Sequence, residues 1–302
     1  MSEIIPILLA IISAIFLGSQ YVPQKKLGKI NINHYNLTMT LGILITSSIL
    51  CVIFYFIEFP ILYWIPCLIG FFSGIVWAFG NRLTLISINR IGLSRTIVLL
   101  NMVSIYSFIF GVIFFSEELN IYKIIGLTII VFSAIIVATI SNKDNNERQK
   151  FNILGILSVI VAAFIISIFN VLSLESMSSS LNNPTIPYYV SVFFLSVGAI
   201  LGSLILNLKL KELKNWYNKE KKFHALGLIA GLIFSFGILM ISYTLAEFGM
   251  TISIPVVQTF MIIVSTFWGI FIFKEFHDKR SFAQFIIGIL VAILGIIFLG
   301  LG

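Results

Sequence analysis

Ten stretches of about 20 apolar residues, parted by short polar turns, run the length of this 302-residue chain and leave it few ways to fold. In hydrocarbon every backbone N–H and C=O must find a partner inside the protein, so a spanning segment is a helix or a strand of a closed barrel. Long unbroken apolar runs select the helix. The spans fall near residues 4–22, 36–57, 61–81, 92–115 and 121–140, then 153–173, 187–207, 224–246, 250–273 and 282–301. Composition agrees: 59% of residues are hydrophobic and 10% charged, where a soluble domain carries roughly 25% charged residues. The expected fold class is an all-α membrane protein of ten transmembrane helices. A polar stretch divides it, giving a first five-helix unit at 1–140, a linker at 141–152 and a second five-helix unit at 153–302.

The Lys and Arg residues set an orientation. Placed on a ten-span topology, Lys123 stands alone on one side and the other 18 of the 19 basic residues stand opposite. Cytoplasmic loops carry that excess, so the 141–152 linker and the lysine-rich 209–222 loop are cytoplasmic and both termini extracytoplasmic. The net charge of +7 is thereby a topology signal, and nucleic acid is not an expected partner. Met1-Ser2-Glu3 lacks the basic residues of a secretory leader, so the first run reads as a retained helix in the cytoplasmic membrane.

Catalytic and cofactor chemistry find little to work with. Cys51 and Cys67 sit inside apolar runs, and His34, His224 and His277 lie at segment ends without clustering. The spans hold no Ser/His pair, paired Asp or metal-ligand set. No enzyme activity, metal or cofactor is expected.

The chain also repeats itself. A constant offset of 157 aligns Gly74 with Gly231, Phe79 with Phe236, Gly80 with Gly237, Gly92 with Gly249 and Ile97 with Ile254. Each copy holds five spans, an odd number, so the second enters the membrane in the opposite sense. Inverted repeats place a solute site near the midplane where the halves meet, and rocking of one half against the other gives alternating access. The glycines themselves need only a packing role, since small residues let membrane helices approach closely.

With few charges in the spans, uncharged polar and aromatic groups become the candidate site. Asn101 and its counterpart Gln258 each lie roughly nine residues into their helices, about 13 Å deep. Their amides both donate and accept, which suits a hydroxyl-rich solute; a hydrogen bond between the halves would use the same groups. Gln20 and Asn170, late in the first and sixth helices, and Asn81 add further amides. Trp77 and Phe234 hold equivalent positions and could pack on the C–H face of a sugar ring or simply fill the core. Pro255 lacks an N–H and is expected to break or kink the ninth helix.

The ten spans, the Gly-rich third and fourth helices and a Glu after each fourth helix of a half (Glu117, Glu275) resemble the drug/metabolite transporter superfamily. Gly18-Ser-Gln-Tyr-Val-Pro-Gln-Lys-Lys26 is similar to the first-helix motif of its glucose/ribose porter branch. Gly74-Ile-Val-Trp-Ala-Phe-Gly-Asn81 followed by Ile91-Gly-Leu-Ser94 is similar to that branch's third-helix pattern. The resemblance implies a central cavity lined by the first, third, fourth, sixth, eighth and ninth helices, and sugar uptake as the activity. Gln20, Lys25, Lys26, Trp77 and Asn81 are the positions it carries over. The expected function is secondary transport of a small neutral polar solute, most simply a monosaccharide. An amino-acid or other metabolite exporter of the same fold is the alternative, followed by a membrane receptor or scaffold that does not transport. A coupling ion (proton or sodium) and a monomeric or homodimeric state are left open by the sequence.

Overall fold

The computed structural model describes residues 4–28, 30–138, 153–178, 184–207, 210–273 and 279–301, and among these the chain is helical with no strand. The helices are α1 (Ile4–Ser19), α2 (Val22–Leu27), α3 (Ile32–Glu58), α4 (Trp64–Ile91), α5 (Leu93–Leu100), α6 (Met102–Phe115) and α7 (Ile121–Ala138), then α8 (Ile153–Met177), α9 (Tyr188–Ile205), α10 (Leu210–Tyr217), α11 (Lys221–Phe248), α12 (Met250–Phe271) and α13 (Lys279–Gly300). Among the described residues, eight segments are long and apolar enough to cross a membrane: α3, α4, Arg95–Phe115 across α5 and α6, α8, α9, α11, α12 and α13. The 16 residues of α1 and the apolar stretch Ile121–Ser133 of α7 are shorter. The 141–152 linker and Glu275 lie outside the described residues.

The outer surface is apolar. Ile49, Ile53 and Phe56 on α3 and Ile287, Leu290 and Leu294 on α13 are all more than half exposed. Patches of this kind are rare on soluble monomers and belong against lipid tails. The buried core lies inside, where Leu17, Trp77, Ile97, Phe169, Phe234 and Ile254 come together.

Close backbone approach organises the interior. A methyl group at Gly74 would run into the Leu195 carbonyl of α9, and one at Gly198 into the Phe71 carbonyl of α4. The same holds between α11 and α3, where Gly231 abuts the Met39 carbonyl and Gly42 the Leu228 carbonyl. Two glycines also turn the chain between consecutive helices. Gly92 (φ 90°) separates α4 from α5, and Gly249 (φ 70°) separates α11 from α12, a region of backbone space that glycine enters without steric penalty. Each donates its N–H four residues back, to Ile88 and Leu245 respectively, both at 3.0 Å. Beside the first turn, the Ser87 and Thr96 hydroxyls meet at 2.9 Å. Beside the second, Ser253 donates to the Thr244 carbonyl at 2.8 Å.

Four local features depart from the sequence expectations. The third span does not end near residue 81 but continues as α4 to Ile91, because Asn81 and Arg82 are satisfied by partners on neighbouring elements, Arg82 Nε donating to Asn33 Oδ1 at 2.7 Å. Pro255 does not break its helix: α12 runs continuously from Met250 to Phe271. One missing ladder bond is tolerated, and the Thr259 hydroxyl donates to the Pro255 carbonyl at 2.7 Å. The interruption falls instead at Asn101, between α5 and α6. Its N–H reaches back three residues to Val98 at 3.1 Å, a tighter turn than the α-helical ladder. Lastly, the basic loop contains a helix, α10, pinned by Trp216 Nε1 donating to Thr38 Oγ1 at 2.8 Å.

Candidate functional site

The aromatic pair singled out by the repeat offset is a contact in space. Trp77 of α4 and Phe234 of α11 stack with ring centroids 4.4 Å apart and planes inclined at 38°. Both rings are buried at 3% exposure and belong to one apolar core cluster.

A chain of buried amides and hydroxyls runs beside this pair, starting at the α1–α2 turn. Tyr21 donates its hydroxyl proton to Asn81 Oδ1 at 3.2 Å. Asn81 Nδ2 donates to Asn36 Oδ1 at 2.8 Å, and Asn36 Nδ2 donates to Ser203 Oγ at 3.0 Å and to the Ala78 carbonyl at 3.3 Å. Gln24 Nε2, one helical turn beyond Tyr21, reaches the Leu85 carbonyl at 3.3 Å and Asn89 Oδ1 at 3.2 Å. Four elements are joined this way: the α1–α2 region, α3, α4 and α9. Three polar atoms of this neighbourhood, Gln20 Oε1, Gln24 Oε1 and the Tyr35 hydroxyl, are buried without a protein partner among the described residues. An unmet buried acceptor or hydroxyl costs about 1–3 kcal/mol, which water or the hydroxyls of a polar solute can relieve.

A second polar group lines α6, α8 and α12. Ser104 Oγ donates to Asn101 Oδ1 at 2.9 Å, and Asn170 Nδ2 donates to Ser107 Oγ at 3.2 Å. On α12, Gln258 is half-buried, and its Oε1 together with Thr251 Oγ1 and Thr266 Oγ1 has no partner among the described residues. Among the described residues no hydrogen bond joins Asn101 and Gln258. Pro255 lies one turn away from Gln258 on the same helix.

The predicted positions therefore divide. Trp77 meets Phe234, Asn81 joins the amide chain, and Asn170 reaches the helix that follows Asn101. Gln20 and Gln258 keep free oxygens. Sequence reasoning passed over Tyr21, Gln24, Tyr35 and Asn36. Tyr21 and Gln24 stand inside the Gly18–Lys26 motif, and Asn36 is an amide at the start of an apolar run, so each carried a readable signal. Lys25 lies next to them, its ammonium 4.6 Å from the Phe273 ring centre, where burial lowers its pKa to about 8.

The chain is similar to known proteins over nearly its whole length. The chain matches the family described as sugar transport protein over residues 8–302. It is 32% identical over 245 residues to a Staphylococcus aureus (strain MRSA252) protein named "Probable glucose uptake protein GlcU", with 77% of each chain covered. It is 26% identical over 308 residues to the "Glucose uptake protein GlcU" of Bacillus subtilis (strain 168), with 98% of each covered. A solved crystal structure superposes with a TM-score of 0.65 at 12% identity, covering 96% of this chain and 98% of the other, which shows a common fold. The family match spans nearly every helix described above, and the chain belongs to the sugar transport protein family.

Proposed function

We propose that this protein takes up a monosaccharide, glucose first among candidates, by alternating access between two inverted five-helix halves. The observation that carries the reading is the Trp77–Phe234 stack. Residues at equivalent positions of two repeats touch one another only near the axis that relates the repeats, and an inverted-repeat carrier holds its solute on that axis. The paired contacts support the same symmetry. The α4–α9 approach at Gly74 is matched by the α11–α3 approach at Gly231, and the Gly92 turn by the Gly249 turn. At the two glycine approaches the partners are exchanged between halves, and each glycine turn bonds back within its own half. The two shorter apolar helices, α1 and α7, complete five spans per half.

The free oxygens of Gln20, Gln24 and Gln258 accept hydrogen bonds from sugar hydroxyls, and the Tyr35 hydroxyl donates or accepts. Neutral amides replace the water shell of a hydroxyl-rich solute without burying a charge. The names of the S. aureus and B. subtilis relatives specify glucose uptake, which supports the same substrate and direction here.

A thermal-stability screen of purified protein against sugars, amino acids, nucleosides and organic cations tests the substrate class. A ligand at 100 times its Kd stabilises the native state by about 2.7 kcal/mol, a readily measured shift in Tm. Glucose or a close epimer should give the largest shift. Stabilisation by amino acids with none by sugars would overturn the reading in favour of the exporter.

A further inference from the structure

Glu117 stands just beyond the C-terminus of α6, in the first half of the chain, and its carboxylate is spent on the second half. Oε1 accepts from the Met250 N–H at 2.6 Å and Oε2 from the Thr251 N–H at 2.8 Å. These N–H groups begin α12 and have no helical partner of their own, so an anion held there is favoured both by hydrogen bonding and by the helix dipole. The carboxylate is aimed by the end of α6. Ser116 is left-handed (φ 51°), and the N–H groups of Ser116 and Glu117 both fold back to the Gly111 carbonyl. Two glycines clear the space. A methyl group at Gly249 would lie 2.6 Å from Glu117 Oε1, and one at Gly111 would lie 3.1 Å from the same atom and from Thr251 Cγ2.

We propose that Glu117 is the positioning residue of a latch that holds shut the face of the transporter opposite the lysine-rich loops. It acts through α12, the helix that carries Thr251, Pro255 and Gln258, and rests on the alternating-access reading above. When the halves rock to open this face, the end of α6 leaves the start of α12. Both N–H···carboxylate bonds must then break and water must take their place. No other polar group among the described residues bonds these two N–H groups, so the latch is a discrete contact whose loss shifts the balance toward the open face. A glycine is required at position 249 because any side chain there occupies the carboxylate's seat.

The test is one-sided accessibility. A reporter Ile254→Cys, buried one turn inward of Thr251, is placed in a background carrying Cys51→Ala and Cys67→Ala. A membrane-impermeant maleimide is then applied to right-side-out and inside-out vesicles. Glu117→Gln, Glu117→Ala and Gly249→Ala should each raise the labelling rate about fivefold or more on one membrane face only, the range of an ordinary coupling energy. Glu117→Asp, which keeps the charge, should return the rate toward the parent. In glucose transport the first three should lower kcat while KM changes less than about twofold. Unchanged labelling in Glu117→Gln and Glu117→Ala, or a rise on both faces as in an unfolded helix, would overturn the latch. Counterflow by the parent protein reports the transport reading separately: a parent without counterflow whose variants still label one-sidedly loses the transport reading and keeps the latch.

Discussion

Trp77 and Phe234 stand 157 residues apart in the chain and stack on each other with ring centroids 4.4 Å apart. The repeat offset aligns the two positions, and the fold makes them neighbours. Both rings are buried, and apolar side chains of α1, α5, α8 and α12 belong to the same buried cluster.

Removing either ring opens a cavity in that cluster. Trp77→Ala or Phe234→Ala should lower stability by about 3 kcal/mol, read as a fall in Tm in detergent and accompanied by loss of glucose counterflow. The double variant should lose less than the sum of the singles by about 0.5–1.5 kcal/mol, the worth of a stacked pair beyond its area. Strict additivity would mean that the rings act independently.

The amide chain makes a sharper prediction about polar satisfaction. Asn36 both accepts from Asn81 and donates to Ser203 and the Ala78 carbonyl. Asn36→Ala strands the Asn81 amide in the core and should destabilise by about 1–3 kcal/mol. Asn36→Ala with Asn81→Leu should recover part of that loss, because the Asn81 amide donor is no longer left without its acceptor, and only part because the Tyr21 hydroxyl then loses Asn81 Oδ1. A thermal scan of the three variants decides it, and a double variant weaker than both singles would contradict the network.

Gly74 and Gly231 should behave alike. A methyl group at either meets a carbonyl of the facing helix, so Gly74→Ala and Gly231→Ala should each cost about 1–3 kcal/mol through overpacking. Unequal effects, with one substitution neutral, would show that the two helix pairs are not matched as their contacts suggest.

Lys25 supplies a pH dependence. Burial lowers its pKa from 10.5 to about 8, so between those values the unfolded chain binds the proton that the folded protein has released. Its contribution to stability therefore rises with pH across this window and is flat below about pH 8. The Tm-versus-pH profile of Lys25→Met should lack that rise. An identical slope in both proteins would assign the effect to another group.

Much of this was legible in the sequence, and the failures have physical causes. The helical spans follow from apolar run length. Trp77 and Phe234 emerge from the repeat offset, although an offset gives equivalence and says nothing of contact. The extension of α4 beyond Asn81 was hidden, because a polar Asn-Arg pair reads as a helix end unless its partners, Asn36 and Asn33, are known to face it. The turn at Asn101 has neither proline nor glycine to announce it, whereas Pro255 announced a break that a continuous helix absorbs. The role of Glu117 was beyond reach for the same reason as the amide chain. Its hydrogen-bond donors lie 133 and 134 residues away in the chain.

The most direct test is counterflow in proteoliposomes loaded with unlabelled glucose and diluted into trace radiolabelled glucose. Transient accumulation of label should follow, reduced by excess external glucose, unaffected by leucine, and abolished or strongly slowed in the double variant Asn101→Ala, Gln258→Ala. Label that merely equilibrates at the rate of empty liposomes, or that accumulates against amino acids and never against sugar, would contradict the account.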